Sequence, residues 1–470
     1  MTQTEATRNS ADQEVADAKT PRRALRVNGA AKFQAPLEGS LVINHQEAFA
    51  LICAAEETYS QHTGVVKEEL QAIVSHWLQS PKDSPILLDE SFRDRWLDLL
   101  HSQCLLTSRN AASGLPEEDS QPRPVHIDFS DIPFPPVEEP KFRFIDLFAG
   151  IGGFRQALHA AGGKCIFSSE WEVHAKETYY QNYGEVPFGD ITHFTEDSNS
   201  KEFFKDSIPS HDVLAAGFPC QPFSQAGLQL GFSDARGTLF FEILKIAKKL
   251  RPSILILENV KRLKTHDKGR TFRVIVNSLH EIGYKVYAKI LRAYDYGLPQ
   301  NRERIFIVAF ETPVHFEFPS PIRETKIRKV GDILEDNVDD YYTISDRMLA
   351  GHMRRLREHK EKGNGFGFSV FSPDAKYTNT ISARYWKDGS EILIEQHGKN
   401  PRLLTQRECA RLQGFPEEFC YNKSRRYAYQ QFGNSVPVNV VKAVVDAALM
   451  WQKAKQPVMA LLDPTEPVIY

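Results

Sequence analysis

The chain has no run of apolar residues near the roughly 18 that a membrane-spanning helix requires, which excludes a helical membrane protein. Its opening stretch, MTQTEATRNSADQEVADAKTPRR, lacks an apolar core, so no secretory signal is expected. Cysteine is scarce: six in 470 residues (Cys53, Cys104, Cys165, Cys220, Cys409 and Cys420), with no C-x-x-C pair. That rarity and spacing exclude a disulfide scaffold and a zinc ribbon. They predict reduced thiols, a cytoplasmic setting and no metal site. A strong net charge is also missing. At −3, with a pI near 6.6, the whole molecule does not announce a polyanionic partner. There is no internal repeat, and the G-x-G-x-x-G spacing of dinucleotide sites is absent.

What remains is the composition of a globular protein, 41% hydrophobic and 25% charged, over a length sufficient for two or three domains. Residues 1–35 are polar without periodicity and read as a disordered tail. Residues 36–140 read as a helical N-terminal extension closed by a Pro-rich linker. In LLDESFRDRWLDLLHSQCLL the apolar positions Leu88, Phe92, Trp96, Leu99, Leu100 and Cys104 recur at helical spacing. TGVVKEELQAIVSHWL predicts another helix with Thr63 near its start, within a stretch 41–106 that reads as helical throughout. The stretch 113–140, rich in proline and acid, is the expected linker.

Beyond it the texture changes. FRFIDLF, KCIFSSE, HDVLAAGF, SILILEN, KVYAKIL and RIFIVAF read as strands, most of them separated by helical runs. That alternation over residues 141–312 predicts an α/β domain with a doubly wound, mostly parallel sheet. Residues 313–399 break the alternation, are polar and glycine-rich, and read as a smaller inserted domain. Residues 400–470 return to amphipathic helices that complete the α/β domain. Between 245 and 304 basic residues outnumber acidic ones, from Lys248 and Lys249 through Arg262 to Arg304; this is either a phosphate-binding face or a solvated one.

In an open α/β sheet, ligands bind beyond the carboxyl ends of the strands, where strand order reverses. Four unusual clusters fall at predicted strand ends: DLFAGIGGF at 146–154, Glu170-Trp171, GFPC at 217–220, and Glu258-Asn259-Val260. The glycine loop lets backbone approach a ligand. Glu170 follows it by about twenty residues, where an acid holds ribose hydroxyls. An adenosyl group without a pyrophosphate fits, as in S-adenosylmethionine, with Trp171 for stacking and Asp190 for the adenine amine. Asp190 also reads as a plain strand-end cap. Cys220 stands between two prolines in AGFPCQPFSQAG, and a buried structural cysteine needs no such setting. Its place at the functional edge, with arginines from QNRER nearby, favours a reactive thiolate.

At this point the chain resembles the DNA cytosine-5 methyltransferases of restriction-modification type, with a HhaI-type catalytic core. DLFAGIGGF, GFPCQPFS, GTLFFEI, ENV, QNRERIFIV, RECARLQGFP and QFGNSVPV match that family in order, from Phe142 to about Ala448. The resemblance implies an S-adenosylmethionine-dependent, Rossmann-like fold, and methyl transfer to C5 of a cytosine flipped out of double-stranded DNA. It implies Cys220 as nucleophile, Glu258 acting at N3, Asn259 fixing the loop, and Arg304 on the base carbonyl with Arg302 in support. It further implies cofactor contacts from Phe148, Ile151, Gly153, Glu170, Trp171, Asp190, Ile191, Pro219, Leu239, Asn434 and Val436. Residues 221–236 would form a mobile loop over the DNA, with Gln221 and Ser224 touching it.

The segment 313–399 occupies the place of a target-recognition domain. GNGFGFSVF and NTISARYWKDGSEILIE resemble the EcoRII-type recognition region, which implies a CCWGG or CCNGG-like site. Thr380 matches the family threonine beside the flipped nucleotide. Arg384 and Lys387 are candidates for guanines or phosphates, or are plain loop charges. A modification enzyme of this type implies a monomer and a cognate restriction endonuclease acting on the same site. Two rivals are a tRNA cytosine-5 methyltransferase, disfavoured by the long insert, and a DNA-binding regulator built on the N-terminal helices, which show no clear helix-turn-helix glycine.

Overall fold

The computed structural model describes residues 40–56, 67–81, 90–111, 124–195, 207–219, 239–322, 328–363, 367–454 and 468–469, all in one compact unit, Pro36–Tyr470. The expected tail, Thr63, Leu88, Cys220, Gln221, Ser224 and the loop 221–236 lie outside the described residues.

The N-terminal extension opens with β1 (Leu41–Asn44), where helix was expected, and continues into α1 (His45–Ala55), α2 (Lys67–Gln79) and α3 (Glu90–Ala111). Asn44 caps α1 by accepting from the amides of Gln46 and Glu47. Trp96, Leu100 and Cys104 are buried on one face of α3, as their spacing predicts. The Pro-rich stretch is not wholly a linker. It carries β2 (Val125–Asp128), paired in parallel with β1. That pairing joins segments far apart in sequence, so no local pattern marks it.

The α/β domain follows as β3 (Phe142–Leu147), α4 (Gly153–Ala160), β4 (Gly163–Ser169), α5 (Val173–Tyr183), β5 (Val213–Gly217), α6 (Leu239–Leu250), β6 (Ile254–Val260), α7 (Arg270–Glu281), β7 (Lys285–Arg292) and β8 (Glu303–Phe310). The inserted segment contributes α8 (Asp346–Glu361), β9 (Val370–Phe371) and β10 (Leu393–Ile394). Then come α9 (Gln406–Gln413), α10 (Arg425–Asn434), α11 (Val438–Ala454) and β11 (Val468–Ile469).

Seven strands form the main sheet in the order β11-β7-β8-β6-β5-β3-β4. All neighbours are parallel except β8, which runs antiparallel between β6 and β7. The short link after β7 holds only a turn, Ala293–Tyr296, so the chain reverses instead of crossing over. Strand order turns back at β3, between β4 and β5. Alternate residues of the central strands serve two cores. Val213 and Ala215 of β5, with Ile254 and Ile256 of β6, face α4, α11 and the inserted segment. Leu214, Ala216, Leu255 and Leu257 face α6, α7 and the N-terminal helices. The inserted segment shares the first core through Ile344, Ile381, Tyr385 and Leu393.

Candidate active site

The loop after β3 sets the floor of a cavity of about 450 Å³, a size within the usual range for small-molecule sites. Phe148 takes φ +55, rare for a side chain with a Cβ, and Gly150 and Gly152 follow at +55 and +82. A Cβ on Gly150 would meet nothing within 4 Å, so its backbone borders open space. Gly153 is glycine for the opposite reason: a Cβ there would lie 2.7 Å from the Val436 side chain and 2.9 Å from the Ser435 hydroxyl. The C-terminal QFGNSV segment thereby closes against the glycine loop.

Glu170, at the end of β4, accepts from Gly150 N at 2.8 Å and from the amides of Trp171 and Glu172 at 3.0 and 2.9 Å. Burial raises its pKa, with those three amides working against the rise. Trp171 stands beside it with 74% of its surface exposed, a free ring at the rim. Asp190 caps the turn Ile191–Phe194 through Thr192 N at 2.9 Å and also borders the cavity, so the cap reading and the ligand reading share one residue.

At the other end of the cavity, β5 and β6 run side by side with Gly217 opposite Glu258. The Glu258 carboxylate pairs with Arg304 Nε at 3.0 Å. Burial raises its pKa, while Arg304 and Arg302 pull it down. Asn259 is 2% exposed; it donates to the Phe218 carbonyl at 2.8 Å and accepts from Val260 N at 2.8 Å, gripping the chain two residues before Cys220. Arg302 is buried and donates to the carbonyls of Ile381, Gly433 and Ser435 at 3.0, 3.0 and 2.5 Å. It therefore ties the inserted segment and the end of α10 to the cavity wall.

Fifteen residues singled out from the sequence border this one cavity: Glu258, Asn259, Arg302 and Arg304, with Phe148, Ile151, Gly153, Glu170, Trp171, Asp190, Ile191, Pro219, Leu239, Asn434 and Val436. Thr380 is not among the lining residues; it donates to the carbonyl of Asn301, the neighbour of Arg302, at 2.7 Å. Arg384 and Lys387 lie outside the cavity, exposed on the turn that follows. Lys387 and Arg426 both approach the Trp386 ring, at 5.6 and 4.6 Å. Part of the expected basic face is paired: Lys261 with Glu303, Arg251 with Glu311, and Arg270 with Asp267.

Sequence reasoning missed Glu172, Gln430, Gln431 and Ser435, which also border the cavity. Gln431 donates to the His174 carbonyl at 2.8 Å and accepts from Thr178, joining α10 to α5. Its neighbours in QQFGNS were the available signal. Also unforeseen is a buried charge cluster behind the glycine loop, where Arg155 meets Glu185 at 2.9 Å.

The model of the family "C-5 cytosine-specific DNA methylase" matches residues 142–449. The chain is 53% identical over 319 residues to the Type II methyltransferase M.DsaV of Dactylococcopsis salina, covering 67% of this chain and 88% of that protein. It is equally 53% identical over 331 residues to the Type II methyltransferase M1.ScrFI of Lactococcus lactis subsp. cremoris, covering 69% of this chain and 82% of the relative. Among solved structures, the Entamoeba histolytica methyltransferase EhMeth superposes with a TM-score of 0.53 at 21% identity, over 68% of this chain and 100% of that one, a likeness of fold.

Proposed function

The chain belongs to the C-5 cytosine-specific DNA methylase family, and from that premise we propose that it methylates C5 of a flipped-out cytosine through a covalent adduct on Cys220, with S-adenosylmethionine as methyl donor. The observation that carries this reading is the meeting, in one cavity, of an acid-and-aromatic half (Glu170, Trp171, Asp190) and a half where Glu258 is paired with Arg304.

The residues fit that cofactor. Among the described lining residues the only cations are Arg302 and Arg304, so the Glu170 half suits a positively charged sulfonium and not a pyrophosphate. Glu170 would take the ribose, Trp171 and Ile191 the adenine, and the open space at Gly150 would admit the backbone side of the ligand. When bound, S-adenosylmethionine supplies an electrophilic methyl group.

The protein's residues must make cytosine C5 nucleophilic. The Cys220 thiolate adds to C6, and the C5–C6 electron pair moves into the ring as an enamine. Glu258 protonates or hydrogen-bonds N3, which stabilises that adduct, and Arg304 holds the base carbonyl. The enamine C5 would then take the methyl group, after which its proton passes to a base and the freed electron pair expels the thiolate from C6, restoring aromaticity with the methyl on C5. Asn259 serves by fixing the Phe218 carbonyl, since Cys220 is bonded to the cavity-lining Pro219. The base must leave the stack, at a cost of a few kcal/mol. Thr380, Arg384 and Lys387, in the 313–399 segment, would contact the DNA and read a CCWGG or CCNGG-like site, and the modified site would be denied to a cognate endonuclease.

The test is methylation of plasmid DNA by the full-length protein, followed by base-resolution mapping of 5-methylcytosine. The expected product is methylation of the inner cytosine of such sites, with none from Cys220→Ala. A duplex carrying 5-fluorocytosine at the target should trap wild type covalently. Turnover by Cys220→Ala would reject the mechanism, and methylation at unrelated sequences would reject the site.

A further inference from the structure

The family match begins at residue 142 and leaves α2 outside it. Yet α2 and α1 are laced to the segment that builds the Asp190 wall of the cavity. Gln79 donates to the Tyr183 carbonyl at 2.5 Å. His45 packs so close to Gly184 that an added Cβ would lie 2.9 Å from its ring. His76 meets the Glu185 carboxylate at 3.3 Å. Ser75 Oγ accepts from Val186 N at 2.9 Å, and Glu69 accepts from Gly189 N at 3.3 Å. Five positions within residues 183–189 are thus held by the N-terminal extension.

That segment is an extra sheet edge. Phe188 N donates to the Ser168 carbonyl at 2.9 Å and Glu170 N donates to the Phe188 carbonyl at 2.8 Å, so β4 holds it on one side only. The amides of Val186 and Gly189 bond to α2 instead. Val186 is buried, and a buried amide left without a partner costs more than an average hydrogen bond contributes, so the backbone there is set by where Ser75 stands; Gly189, half-buried, adds its bond to Glu69. Gly189, Asp190 and Ile191 then border the cavity directly.

We propose that α2 is a positioning element for the cofactor half of the active site, with Ser75 and Glu69 as its positioning residues. This rests on the reading that the cavity binds S-adenosylmethionine. The test compares full-length wild type, Glu69→Ala, Ser75→Ala and the conservative Ser75→Thr. Calorimetry gives the S-adenosylmethionine Kd, and steady-state kinetics give KM and kcat. Ser75→Ala should weaken cofactor binding by roughly five- to tenfold, as the loss of one buried hydrogen bond implies, and Glu69→Ala should weaken it in the same direction. kcat at saturating cofactor and DNA affinity should stay within about twofold of wild type, and Ser75→Thr should bind as wild type does. Cooperatively melting alanine variants with unchanged cofactor Kd would overturn the proposal. Hydrogen exchange on wild type needs no variant to fold: adding cofactor should slow exchange in residues 69–79 as well as 185–191, because coupling is reciprocal. Protection confined to 185–191 would overturn it. A wild type that binds no S-adenosylmethionine would instead defeat the reading of the cavity itself.

Discussion

Glu258 is a carboxylate at the buried end of a central strand, balanced between two opposed effects. Burial raises its pKa, and Arg304 at 3.0 Å, with Arg302, draws it back without cancelling the rise. The consequence is an acid whose proton persists to higher pH than in an exposed glutamate, which suits donation to a ring nitrogen. Glu258→Gln keeps the shape and removes the proton. It should slow methyl transfer by roughly 10²–10⁴-fold, with cofactor affinity little changed. The sign of the pH effect follows from the raised pKa: with wild type, activity should fall on the alkaline side as Glu258 ionises, and Glu258→Gln should lose that limb. Single-turnover rates across pH would check it, and an unchanged limb in the variant would assign it to another group.

At the scale of elements, the end of α10 and the turn at 382–384 of the inserted segment meet with no room between them. A Cβ on Gly433 would strike backbone atoms of Ser382 and Ala383, which cannot swing aside as a side-chain tip can. The same junction is tied by Arg302, which donates to carbonyls on both sides. Gly433→Ala should therefore destabilise the fold by roughly 1–3 kcal/mol, the usual range for overpacking. It should also displace the turn that bears Arg384, so that methylation spreads to non-cognate sites. Denaturant unfolding and site mapping on plasmid DNA measure the two effects, and retained stability would show that the junction opens freely.

Across the whole molecule, a buried charge cluster joins the N-terminal extension to the sheet. Burial opposes the Glu185 charge, but Arg155 at 2.9 Å, His76 and the Ser168 hydroxyl hold its pKa below the usual carboxylate range. A depressed folded-state pKa contributes stability that is present above the unfolded value, about 4.3, and is lost as pH falls through the folded value. Glu185→Gln should cost roughly 3–5 kcal/mol near neutrality, because Arg155 would be left buried without its partner. The gap in stability between wild type and variant should narrow only below about pH 4. Melting curves across pH test this, and a gap that stays constant down to strong acid would show that Glu185 is not charged in the fold.

The strand–helix alternation and the clusters at the strand ends were legible in the residues alone, whereas most of the cavity-lining residues were reached only through the family resemblance, and Glu172, Gln430, Gln431 and Ser435 not at all. The legible signals are local: apolar periodicity, a glycine loop, an acid after a strand. The reversed direction of β8, the pairing of β1 with β2, and the docking of α2 on residues 183–189 were decided only by tertiary structure. Each joins segments distant in the chain, and no residue in them changes character because of its partner. Glu69 and Ser75 look like ordinary polar positions on an amphipathic helix. Their role exists only because two amides on another segment arrive without partners.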